Sequence, residues 1–149
     1  MSRMARNQIS RARRNRNPGN IRRSQVRFKG EVQPSSDPDF KEFESMAWGY
    51  RAMFVVMNTY SRKYGICTIR GIVTRWAPPS ENDTESYVRY VSRRSGIDPD
   101  VKVDVCDGGT MKSIAEAMSR IERGSEPTAE EMEALEEGWR LFAGDRIRG

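Results

Sequence analysis

Histidine is absent from this 149-residue chain, and cysteine appears only twice, as Cys67 and Cys106. The first absence removes Ser-His and Cys-His nucleophilic catalysis and most zinc chemistry. Two thiols alone make neither a disulfide framework nor a zinc site. No metal and no cofactor is therefore expected, and any hydrolytic site has to run on carboxylates. Long apolar runs are missing too: none approaches the roughly 20 residues that cross a bilayer, so no membrane span is expected. The basic N-terminus lacks the hydrophobic centre of a signal peptide, so secretory export is not expected either.

Acid is missing from the head of the chain. Residues 1–30 hold ten Lys/Arg and no Asp or Glu, whereas residues 31–149 hold sixteen against twenty-one. The net charge of +5 thus hides a +10 head and a −5 body. Residues 1–16 place Arg3, Arg6, Arg11, Arg13, Arg14 and Arg16 among Asn, Ser and Gln. So few apolar groups cannot bury enough surface to fold alone, and the arm is expected to be disordered until a partner orders it. Three readings stay open: an arm that neutralises phosphates by counterion release, one that docks on an acidic neighbouring copy, and a solvated tail.

The body is organised around residues 68–87. Ile69, Ile72, Val73 and Trp76 fall at i, i+3, i+4 and i+7 behind Thr68, which predicts a short N-capped helix. Pro78 and Pro79 stop it. A new start at Asp83 or Thr84 leads Tyr87, Val88 and Val91 along a second helical face. The corner between them, residues 80–83, is either a proline turn capped by polar side chains or a ligand-facing loop.

Upstream, residues 15–20 are dense in turn formers, and Val26, Phe28 and Val32 predict a short strand or hairpin around Gly30-Glu31. Residues 45–64 carry the widest apolar stripe and read as the central core helix, closed by Gly65. Gly96 closes the helix after the corner, and residues 97–109 form a loop with a short extended piece at Val101, Val103 and Val105. Thr110 is expected to cap a helix with Met111, Ile114, Ala115, Met118 and Ile121 on one face. Thr128-x-x-Glu131 is a capping box opening a last helix, with Glu130, Glu133, Glu136 and Glu137 outside and a tail from Gly144 that frays.

The order and spacing of Asn17-Pro18-Gly19-Asn20-Ile21-Arg22, Gly30-Glu31, Phe40-x-x-Phe43-x-Ser45, Gly49-Tyr50-Arg51-Ala52-Met53 and Arg75-Trp76-Ala77-Pro78-Pro79-x-Glu81-Asn82-x-Thr84-x-x-Tyr87 resemble a known group. They are similar to small phage and prophage virion structural proteins with an NPGNIR box and an RWAPPSENDT box. That family resembles, more distantly, the lysozyme-like glucosaminidases. The resemblance covers roughly residues 15–123 and implies a mainly α (α+β) fold, with a lysozyme-like core and a small β-hairpin over 17–124; the Arg-rich arm over 1–16 and the acidic helix and tail over 125–149 are what this chain adds to it. It implies a virion location after synthesis in the host cytoplasm, and a multi-copy assembly with other virion proteins.

Two functions are left standing. One is cleavage of host peptidoglycan during genome entry, with Glu31 and Glu81 as the candidate carboxylates and Asn17, Asn20, Arg22, Trp76, Asn82 and Tyr87 as substrate contacts. Trp and Tyr faces suit sugar rings, having flat apolar area and polar edges. The other is a non-catalytic virion component whose arginines hold packaged DNA or neighbouring subunits. A host-encoded nucleic-acid adaptor is a third, lesser reading.

Overall fold

The computed structural model describes residues 9–148. Among the described residues, six helices and one two-stranded sheet make a mainly helical α+β fold. They run α1 (Arg11–Arg14), β1 (Glu31–Val32), β2 (Glu42–Phe43), α2 (Met46–Tyr64), α3 (Ile69–Trp76), α4 (Thr84–Ser95), α5 (Gly108–Arg123) and α6 (Ala129–Arg148).

α2 is the axis of the molecule. Ser45 caps it, accepting from the Trp48 N–H, and Gly65 ends it in the left-handed conformation. Tyr50, Met53, Phe54 and Met57 are buried along it, against Ile69, Ile72 and Val73 of α3, Tyr87, Val88 and Val91 of α4, and Met111, Ile114 and Met118 of α5. Its most extensive partner is α6, which adds Leu135 and Phe142 to the same core. The crossing is tight at Gly138. A Cβ there would stand 2.7 Å from Tyr50 Cβ and 2.8 Å from the Ala47 carbonyl oxygen.

Several boundaries differ from the sequence expectations. No strand runs through Val26 and Phe28; residues 22–27 form an exposed loop, and β1 begins at Glu31 and pairs with β2 in antiparallel register, Glu31 opposite Phe43. The cause is a buried lysine: Lys41 Nζ donates to the carbonyls of Ser24 and Val26, at 3.2 and 2.7 Å, and turns them away from a ladder. Residues 101–105 form no strand, since Val103 has one cross-chain backbone bond, to Cys67. α5 starts earlier than Thr110, at Gly108, and the Thr110 hydroxyl donates back to Asp107 at 2.9 Å. α6 does not fray at Gly144 but continues to Arg148, because Asp145 binds Arg51 at 2.9 Å and Lys29 at 3.2 Å.

Residues 9–16 were expected to order only on a partner, and instead they pack on the body. Ser10 caps α1 and Ala12 is buried. Arg11 binds Asp37 at both carboxylate oxygens and also reaches Asp39. Arg13 grips Glu131 at 2.7 and 2.9 Å, which ties α1 to the capping-box glutamate of α6. Arg16 donates to the Phe43 carbonyl at 2.7 Å and to Glu42 at 3.2 Å. Arg3 and Arg6 lie outside the described residues, and Arg14 is exposed.

Candidate functional site

The corner between α3 and α4 forms as its residues dictate. Thr68 accepts from the Gly71 N–H at 3.0 Å and opens α3, which stops one residue before Ala77-Pro78. Asp83 accepts from the Ser86 N–H at 3.2 Å and opens α4. The buried Thr84 hydroxyl donates to the Ala77 carbonyl at 2.6 Å, and Asn82 donates to the Pro78 carbonyl at 3.1 Å. Two helix ends and two side-chain bonds hold the turn.

Facing this corner is the 17–22 loop. Asn17 is fully buried and structural: its amide donates to the Ile21 and Lys41 carbonyls, and its oxygen accepts from the Ile21 N–H at 2.9 Å. Asn20 takes the left-handed conformation, φ 48°, which asparagine tolerates better than most residues. Gly19 brings this loop onto α3. A Cβ on it would lie 2.6 Å from the Trp76 ring, whose Nε1 donates to the Gly19 carbonyl at 2.9 Å.

Between loop and corner opens a cleft of about 390 Å³. Trp76, Tyr60, Phe40 and Val56 give it apolar walls; Asn20, Arg22, Glu81, Asn82 and Glu122 give it polar edges. Arg22 and Glu81 meet at 3.6 Å, both well exposed. Asn20, Arg22, Trp76, Glu81 and Asn82 are therefore brought together. Tyr87 lies behind the wall, buried, and its hydroxyl donates to Glu122 at 2.9 Å.

Glu31 does not join them. Its side chain is 2% exposed and bonds Lys41 Nζ at 2.9 Å, with Lys41 itself 1% exposed. One carboxylate oxygen also accepts from the Phe28 N–H at 3.0 Å, and the other from the Gln33 amide. A carboxylate enclosed by an ammonium and an amide N–H cannot reach a substrate in the cleft. Glu31 is a structural anion, and the pairing of Glu31 with Glu81 is not assembled.

The carboxylate that does share the cleft with Glu81 is Glu122, in the last turn of α5. It accepts from the Asn20 amide at 2.9 Å and the Tyr87 hydroxyl at 2.9 Å. Burial raises its pKa above the ordinary carboxylate value, against the opposing pull of Asn20, Tyr87 and the Arg22 charge. Burial also raises the Tyr87 phenol well above its usual range, with the Glu122 charge adding to it. The Asn20 side-chain oxygen is buried without a partner at the same wall. Sequence reading passed over Glu122, although a signal existed: it continues the Met111, Ala115, Met118 stripe at helical spacing, a position an apolar residue ordinarily fills.

Among the described residues no group of three His, Cys, Asp or Glu side chains could hold a metal ion, and no helix is long and apolar enough to cross a membrane. No family model matches the chain. It is similar to Protein P5 of Pseudoalteromonas phage PM2, with 38% identity over 124 residues that span 81% of this chain and 76% of that protein. Identity at this level over most of both sequences makes the chain a member of the family of that phage protein.

Proposed function

We propose that this chain is a virion-associated phage protein that acts on host peptidoglycan during genome entry, holding a glycan strand in the cleft between the 17–22 loop and the α3–α4 corner. The observation that carries the reading is the cleft itself, in which Trp76, Tyr60 and Phe40 stand beside Asn20, Arg22, Asn82 and two carboxylates. Aromatic faces against sugar rings, with amide and charged groups at the hydroxyls, are the usual chemistry of such a groove. The resemblance to lysozyme-like glucosaminidases favours the same substrate. Co-sedimentation with purified peptidoglycan tests it. Binding is expected to saturate, to be competed by soluble glycan fragments, and to weaken in Asn82→Ala, whose side chain is exposed at the corner. Absence of sedimentation, or binding that glycan fragments leave unchanged, would remove the glycan reading.

A second reading, a non-catalytic virion component held to packaged DNA or to neighbouring subunits, draws on Arg14, Arg22, Arg23 and Arg27. All four are exposed, whereas Arg11 and Arg13 are engaged by the chain's own carboxylates. Sequence-independent DNA binding that weakens steeply with salt would support it.

A further inference from the structure

We infer that Glu122 is the proton donor of a glycosidic-bond hydrolase centred on this cleft, with Glu81 as the second carboxylate and with Asn20 and Tyr87 as the residues that position the acid. The inference rests on the glycan reading above and adds cleavage to it. Glu122 lies in none of the sequence boxes that carry the family resemblance.

Three observations support the assignment. Glu122 is the cleft carboxyl withdrawn from water, set in the last turn of α5, while Glu81, which lines the same cleft, is 63% exposed. Burial favours the protonated form of Glu122, whereas Glu81 stands in solvent with the Arg22 guanidinium at 3.6 Å. Glu122 is also held on both oxygens, by Asn20 Nδ2 at 2.9 Å and Tyr87 Oη at 2.9 Å, from two different segments. A carboxyl fixed in this way meets a bound sugar without losing side-chain freedom on each turnover. Asn20 also leaves its own side-chain oxygen buried and unpartnered beside this contact.

The step balances without a further reagent. The Glu122 carboxyl passes its proton to the bridging oxygen as the bond from that oxygen to the anomeric carbon breaks, and the electron pair leaves with the oxygen. One water adds to the anomeric carbon and gives its proton to Glu81. A single glycosidic bond and one water become two hydroxyl groups, and proton exchange with solvent resets both carboxyls.

The test measures binding and turnover in parallel on the full chain, using purified peptidoglycan and release of reducing ends. Wild type is expected to bind and cleave. Glu122→Gln is expected to bind within a factor of about two, melt near the parent and lose turnover by about 10²–10⁴-fold, the range for a general acid. Glu122→Asp keeps the carboxyl and is expected to recover part of the rate, which guards against a fold defect. Tyr87→Phe supplies a readout that a purely structural role would not move. The Tyr87 hydroxyl opposes the rise in the Glu122 pKa, so its loss raises that pKa further and shifts the alkaline limb of the pH–rate profile upward. The facing groups Arg22 and Asn20 are unchanged in this variant. Binding without cleavage by wild type, or cleavage unchanged in Glu122→Gln, overturns the assignment while the glycan reading stands. Failure of wild type to bind overturns the glycan reading first, and this inference with it.

Discussion

Glu31→Gln, the substitution that a catalytic reading of the β1 carboxylate would choose, is a stability variant. Glu31 and Lys41 are a buried ion pair, with side chains 2% and 1% exposed and 2.9 Å between Nζ and carboxylate. The neutral amide keeps the shape of the side chain and removes the charge facing the ammonium. Removing one partner of a buried pair costs about 3–5 kcal/mol, because the remaining charge is left uncompensated out of water. Lys41 keeps the Ser24 and Val26 carbonyls, which places the expected loss near the lower end, about 3 kcal/mol. At about 2–4 °C per kcal/mol for a chain of this size, the melting temperature falls by about 6–12 °C. Lys41→Met restores the balance from the other side, so the double variant is expected within about 1–2 kcal/mol of the parent. Urea denaturation of the parent, both single variants and the double variant closes the cycle and yields the coupling directly. A Glu31→Gln midpoint equal to the parent's, or an additive cycle, would refute the buried-pair argument and return Glu31 to the list of groups free to do chemistry.

Trp76→Ala removes a partly buried ring packed edge-on to Tyr60, together with its bond to Gly19; thermal melting should show a loss of about 3 kcal/mol. Gly138→Ala forces a methyl into the α2–α6 crossing and should destabilise by about 1–3 kcal/mol in urea, with an unchanged m-value. The Asp37 carboxyl is held well below its usual range, first by its bonds from Arg11. A group depressed on folding contributes stability above its unfolded pKa and loses it as pH falls, so Asp37→Asn should flatten the acid side of a stability–pH curve below the ordinary value of 3.8. Deleting residues 1–14 should lower the melting temperature, since Ala12 is buried and Arg11 and Arg13 anchor α1 to Asp37 and Glu131; a truncated protein melting like the parent would show that α1 adds nothing.

The helices were legible because their ends are written in local chemistry. Thr68, Asp83 and Thr128 cap as their spacing to the next apolar residue predicts, and the Thr128–Glu131 box closes reciprocally at 2.9 and 3.0 Å. The corner was legible for the same reason, and Asn20, Arg22, Trp76, Glu81 and Asn82 do converge there. What escaped was whatever depends on residues distant in sequence. Lys41 looks like any charged residue near a strand end until the fold places Glu31 and two carbonyls around its ammonium. Glu122 sits 102 positions from Asn20 and 35 from Tyr87, so no local window joins them. The docking of α1 depends on acids at 37 and 131, contributed by two separate segments.

The partnership of α2 with α6 has a bearing on how the chain comes to exist. A ribosome releases α2 while the residues of α6 are still unsynthesised, so Phe54 waits for Phe142, to whose ring it packs at a centroid distance of 6.0 Å. The Arg13–Glu131 contact joins groups 118 positions apart and cannot form until residue 131 has been made. Contacts of such sequence separation are slow to close, and apolar surface left uncovered meanwhile is prone to association. A product truncated near residue 124 would present the bare α2 flank to its neighbours. The completion of α6 is the moment at which each copy becomes safe to accumulate.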